Sequence, residues 1–182
     1  KIIAIIGLPG SGKTEAIKYL MKKFNWPKVY FGDMTFNEMK KRGLAANQKN
    51  EKLARESLRK KFGMAAYAIK SLPLIKREMK NSDIVLIESM YSWEEYLKLK
   101  KQFNENLIVI AIYAPPELRY QRLEKRLNER PLKQKEAKER DHAQIENLRQ
   151  AGPIAMANHT IINDSSEKEL YRQLDNIIKK IQ

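Results

Sequence analysis

The chain has 182 residues, enough for one domain with a full hydrophobic core. It carries 36 Lys or Arg against 22 Asp or Glu, a net charge of +14, and no cysteine, which excludes disulfides, thiolate metal sites and a cysteine nucleophile. No run of about 18 apolar residues occurs, so neither a membrane span nor a secretory leader is expected, and the composition reads as a soluble, cytoplasmic protein. The two histidines, His142 and His159, stand too far apart to suggest a metal site and read as surface or packing residues.

The first element is the apolar run Ile2 to Ile6, expected to be a strand covered on both faces. Directly after it, residues 7 to 14 read Gly-Leu-Pro-Gly-Ser-Gly-Lys-Thr, the pattern G-x-x-x-x-G-K-[ST] without a gap. Glycines let the backbone wrap closely around an oxyanion, and the helix that follows adds its positive N-terminal end. The loop Gly7, Leu8, Pro9, Gly10, Ser11, Gly12, Lys13 and Thr14 is therefore assigned to nucleotide binding, with ATP and Mg²⁺ as the implied cofactors. Lys13 is expected to reach the β and γ phosphates, and the Thr14 hydroxyl to ligate the metal. Ala16, Leu20 and Phe24 then recur at helical spacing.

A second strand is expected at residues 28 to 31, with Asp33 emerging just beyond it at the carboxyl edge of the sheet, where open α/β folds bind their ligands. Residues 34 to 82 form a long, mostly helical excursion. Between Asn37 and Lys80 it holds thirteen Lys or Arg and four Glu, a balance of +9. Such a surface fits RNA or another polyanion, and it equally fits solvated helix faces on a protein that handles small anions. The third strand, residues 83 to 88, ends on Glu88, placed to hold Mg²⁺ directly or through water. Asp33 and Glu88 each also fit a cap or turn role.

A fourth strand is expected at residues 107 to 114, followed by a second excursion over residues 117 to 152. Its charged stretch around Pro131 suits a mobile lid better than a packed core, and it contributes Arg119, Arg122, Arg126, Arg130 and Arg140. Some of these are expected to meet phosphate charge, the others to pair with Glu117, Glu124, Glu129 and Glu136. A fifth strand at residues 159 to 163 precedes a closing helix, capped by Ser165 or Ser166, with an apolar face of Leu170, Leu174, Ile177, Ile178 and Ile181. Strands alternating with helices predict an α/β fold with a mainly parallel sheet, divided into a core (1–33, 83–116, 153–182) and the two excursions.

The phosphate loop, the Phe-Gly-Asp-Met after the second strand, the charged lid and the ending from Ala151 to Leu170 together resemble the adenylate kinase-related P-loop proteins found mostly in archaea, relatives of nucleoside monophosphate kinases and dephospho-CoA kinase. The resemblance implies a P-loop fold with a five-stranded sheet in the order 2-3-1-4-5, an acceptor-binding helical insertion and a lid. It implies lid contacts from Arg126 and Arg140, and a loop near Asn163 beside the adenine.

Two departures stand out. Where those kinases place an arginine after Gly-Asp, this chain has Phe36, and where they place Asp-Gly and a second arginine after the third strand, it has Glu88, Ser89, Met90 and Tyr91. Arg42, Arg55 and Arg59 are the candidates to replace those clamps, and Phe36, Tyr67 and Tyr91 to form an apolar or stacking wall. The leading expectation is an ATP- and Mg²⁺-dependent phosphotransferase acting on a nucleotide-like small acceptor, with Lys13, Asp33, Arg126 and Arg140 as its catalytic groups. The alternatives are an ATP-hydrolysing switch and an RNA-associated ATPase or polynucleotide kinase that uses the basic segment 37–80. Composition sets no oligomeric state.

Overall fold

The computed structural model describes residues 1–126 and 131–181. Its core is a parallel sheet of β1 (Ile2–Ile6), β2 (Lys28–Tyr30), β3 (Val85–Glu88), β4 (Leu107–Tyr113) and β5 (His159–Ile162), in the order β2-β3-β1-β4-β5. The central strand β1 pairs with β3, Ile5 opposite Glu88, and with β4, Ile5 opposite Ile110. Every residue of β1 is buried, because helices cover both faces of the sheet. This is why the strands read as unbroken apolar runs rather than alternating ones.

On one face, α1 (Lys13–Phe24) and α9 (Glu167–Ile181) pack against Ile3, Ile5, Leu86 and Ile110. Ser166 Oγ accepts from the Glu169 N–H at 3.3 Å. From that cap α9 buries Leu170, Leu174, Ile178 and Ile181, each worth about 1.5–3 kcal/mol of apolar transfer. The other face is covered by residues from α3 (Gln48–Phe62), α4 (Ala66–Glu78) and α5 (Trp93–Phe103), packed on Ile2, Ile6, Val29 and Ile87. Between β2 and α3 lies α2 (Asp33–Lys41), so the segment 34–82 is helical as expected.

Residues 117–152 carry most of α6 (Pro116–Glu124), then α7 (Gln134–Leu148) and the start of α8 (Ala151–Ala155). Expected to be loosely held for want of apolar residues, this segment is rooted in the protein through polar side chains: Arg119, Asp141, Gln144 and Gln150 are all buried. Arg130 and Glu129 of the expected lid lie outside the described residues. Among the described residues no helix is long and apolar enough to cross a membrane.

Candidate functional site

The loop between β1 and α1 is glycine-dependent for steric reasons. Gly10 and Gly12 have φ of +79° and +102°, and a Cβ on Gly10 would lie 2.6 Å from the Arg119 carbonyl oxygen. One on Gly12 would collide with the side-chain amide of Asn163. Three loop carbonyls are tied to the surrounding protein: Gln150 Nε2 donates to Gly7 O at 3.1 Å, Arg119 Nη1 to Pro9 O at 3.0 Å, and Asn163 Nδ2 to Ser11 O at 2.8 Å. α1 opens at Gly12 without a side-chain cap, leaving the first-turn N–H groups of the helix available to an anion.

Positive charge converges on this loop. Lys13 donates to Leu8 O at 2.9 Å. Burial, reinforced by Arg140, Arg126 and Arg119, drives its ammonium pKa down to about 7, with Glu88 opposing. Cations crowded to this degree are relieved by a polyanion, and the residues present therefore fit a nucleotide phosphate chain. Thr14 stands exposed on the first turn of α1, and Glu88 lies buried at the end of β3. Glu88 is not a lone carboxylate: Lys28 of the neighbouring strand donates to its Oε2 at 2.7 Å.

One cleft opens on the loop and a second lies between the insertion and α7. The smaller, about 300 Å³, is lined by Gly10, Gly12, Lys13, Thr14, Arg126 and Asn163, among others. The larger, about 910 Å³, has Phe36, Arg55, Arg59, Tyr67, Tyr91 and Arg140 on its walls. Arg140 joins the two, since it lines the larger cleft while its charge acts on Lys13 in the smaller. At the floor of the larger cleft Glu95 is 1% exposed, and burial lifts its pKa to about 7 against the N–H groups of Tyr91 and Ser92 and the charge of Arg59.

The expected site residues are thus mostly gathered together. Arg55 and Arg59 face the cleft, whereas Arg42 caps the C-terminal end of α2 and is not among the lining residues. All three expected wall residues, Phe36, Tyr67 and Tyr91, line it. Asp33 opens α2 at the carboxyl end of β2, exposed and beside the lining residue Gly32, but outside both clefts. Among the lid arginines, Arg119 departs from expectation: it neither faces a cleft nor pairs with a nearby glutamate, being buried against Asp141. Arg122 Nη1 donates to Asn163 O at 3.0 Å. Asn163 lines the smaller cleft, but its amide is already committed to Ser11. Sequence reasoning missed Gln150, Asp141, Lys28 and Glu95. Only Glu95 had a local signal, as the third residue after Ser92 in a capping box.

A family described as an AAA domain matches residues 3–147. Relatives named UPF0200 protein cover almost the whole chain: one from Methanocaldococcus jannaschii is 36% identical over 99% of this chain and 90% of its own length. The chain belongs to the UPF0200 family. A second UPF0200 relative, from Pyrococcus abyssi, is 35% identical over 99% of this chain and 96% of its own. Among solved structures, TT1252 from Thermus thermophilus superposes with a TM-score of 0.68 at 20% identity, covering 100% of this chain and 97% of that one. Shikimate kinase from Bacteroides thetaiotaomicron gives 0.62 at 13% identity, covering 99% and 97%. This UPF0200 protein therefore has the fold of a P-loop kinase-like NTPase, as its resemblance implied.

Proposed function

We propose that this UPF0200 protein is an ATP- and Mg²⁺-dependent phosphotransferase acting on a nucleotide or nucleotide-like small molecule held in the larger cleft. One observation carries the reading: Arg140 lines the larger cleft and its charge acts on Lys13, which lines the smaller, so a donor phosphate chain on the loop and an acceptor among Arg55, Arg59 and the aromatic wall would both lie within reach of those cations. Bound ATP would supply the phosphoryl group, and Mg²⁺ would offset the charge of its phosphates. Thr14 and Glu88 would hold the metal, with water and phosphate completing its shell, as Mg²⁺ sites built on few protein ligands require. Lys13, Arg126 and Arg140 would stabilise negative charge around the transferred group. Asp33, at the rim, would orient or deprotonate an acceptor hydroxyl, which requires it to turn inward.

The test is ADP production from Mg·ATP, alone and against a panel of nucleotide acceptors, with product mass and a Lys13→Ala control. Stimulation by one acceptor together with a phosphorylated product supports a kinase. Slow Lys13-dependent hydrolysis that no acceptor stimulates defeats it. Asp33→Asn is expected to abolish transfer while ATP still binds, and retained transfer removes Asp33 from the mechanism.

A second reading, an RNA-associated ATPase or polynucleotide kinase, is favoured by a specific feature: Lys49, Lys52, Arg55 and Arg59 line the same cleft from one face of α3. Some of that charge is compensated, with Arg55 Nη1 3.3 Å from Glu51 Oε2 and Lys52 Nζ 3.8 Å from Glu56 Oε1. Binding of bulk tRNA that weakens steeply with salt would favour this reading, and no binding at low salt would end it.

A further inference from the structure

The larger cleft holds a buried acid and a cation that do not pair. Glu95 turns Oε2 to the backbone, accepting from Tyr91 N–H at 2.7 Å and Ser92 N–H at 3.0 Å. Its Oε1 makes no hydrogen bond among the described residues. In the same cleft lining the Arg59 guanidinium lies 5.6 Å from the centre of the Tyr67 ring, and its Nε is buried without a partner. The surrounding backbone and ring are themselves tied down. Ser92 Oγ donates to Met64 O at 2.8 Å, tying the start of α5 to the turn between α3 and α4. Tyr67 is in turn held by a 2.8 Å hydrogen bond with Thr35 Oγ1. A buried donor without a partner costs free energy, and on the same cleft lining Glu95 leaves one carboxylate oxygen open to a ligand.

Resting on the kinase reading above, we propose that Arg59 and Glu95 read the lactam edge of a guanine-type base on the acceptor nucleotide. That edge presents a carbonyl oxygen beside N–H donors, the complement of a guanidinium beside a carboxylate. An adenine edge reverses the order, setting its N1 lone pair against the carboxylate and its amino group against the cation. The surrounding rings suit a flat base. Phe36, a large apolar side chain left 47% exposed, lies on the same cleft as Tyr67 and Tyr91, and a stacked base would cover it. The capping box alone accounts for Oε2 but not for the second oxygen or for the unpartnered Nε of Arg59.

Binding of GMP, IMP and AMP to the whole protein by calorimetry, with and without a non-hydrolysable ATP analogue, tests this. GMP is expected to bind roughly tenfold to a hundredfold tighter than AMP, with IMP, which lacks one donor, between them. Glu95→Gln keeps a carbonyl oxygen for the two backbone N–H groups but turns an amide donor to the cleft. It is expected to erase the preference for GMP, as is Arg59→Met, with thermal melts reporting that each variant folds. Failure of GMP to bind, AMP binding as tightly as GMP, or a preference unchanged in both folded variants overturns the inference. Phosphate transfer, read by product mass in the same samples, separates the two claims. Transfer to an acceptor whose affinity ignores both substitutions sinks the base reading and leaves the kinase. A guanine preference without any transfer leaves the base reading and sinks the kinase.

Discussion

Arg119 grips Asp141 by two hydrogen bonds, Nη1 to Oδ1 at 3.0 Å and Nη2 to Oδ2 at 2.7 Å, with both side chains about 95% buried. Its Nη1 also donates to Pro9 O at 3.0 Å and its Nε to Ala114 O at 3.1 Å, so one guanidinium ties α7, α6 and the phosphate loop together. Tyr120 donates to the same Asp141 at 3.0 Å. Removing one partner of such a pair strands a buried charge, which costs about 3–5 kcal/mol. Asp141→Leu is therefore expected to lower the free energy of unfolding by that order and to weaken nucleotide binding, since the arginine that holds Pro9 loses the carboxylate that positions it. Unchanged urea unfolding would show that Arg119 finds another acceptor.

Lys28 and Glu88 make a second pair with a different consequence. The ammonium lies 2.7 Å from the carboxylate proposed to hold Mg²⁺, on side chains 31% and 12% exposed, so lysine and metal compete for one oxygen. Lys28→Met is expected to tighten Mn²⁺ binding in the presence of ADP by roughly threefold to tenfold, the scale of a partly screened charge. Titration followed by electron paramagnetic resonance reads this without turnover. Weaker binding would instead show that Lys28 orients the carboxylate for the metal.

Glu95 makes stability depend on pH. Its folded-state pKa of about 7 lies above the 4.5 of an unperturbed glutamate, so the folded protein binds more protons between those values. The sign follows: stability falls as pH rises from about 4.5 to 7, and the loss is complete above 7. Burial is the main cause, with Glu94 adding to it and Arg59 and the two backbone N–H groups opposing. Wild type and Glu95→Gln compared by denaturant unfolding at pH 5 and pH 8 should diverge by about 2–3 kcal/mol, wild type losing the more. Parallel pH profiles would show that the carboxylate is ionised throughout.

The parts legible in sequence were those with a local pattern. Strands buried on both faces announce themselves as Ile- and Val-rich runs, the loop by its glycines and lysine, and α9 by its 3.6-residue stripe. What braces the loop was not legible. Gln150, Arg119 and Asn163 stand 143, 110 and 152 residues from the carbonyls they hold, and no periodicity links such pairs. Arg119 and Arg122 belong to the same run of lid arginines, yet one is buried in a salt bridge and the other holds a loop carbonyl. Which of Arg42, Arg55 and Arg59 faces the cleft likewise depends on how α2 and α3 pack, a tertiary fact. Arg55 and Arg59 share one face of α3 as residues four apart do.

A single substitution at Asn163 distinguishes a brace for the loop from a contact with the base. The Asn163 amide donates to the buried Ser11 carbonyl at 2.8 Å, and the residue's own carbonyl is held by Arg122 at 3.0 Å, which makes it a brace for the loop. It also lines the smaller cleft, where the family resemblance places the adenine. Asn163→Ala leaves the Ser11 carbonyl without its donor, a loss of about 1–3 kcal/mol in a buried setting. If bracing dominates, the phosphate loop itself loosens, and affinities for ATP and GTP fall together, because the triphosphate is common to both. A loss confined to ATP would place the side chain against the base instead. Competition between the two nucleotides for a fluorescent analogue, measured on wild type and variant, decides between them.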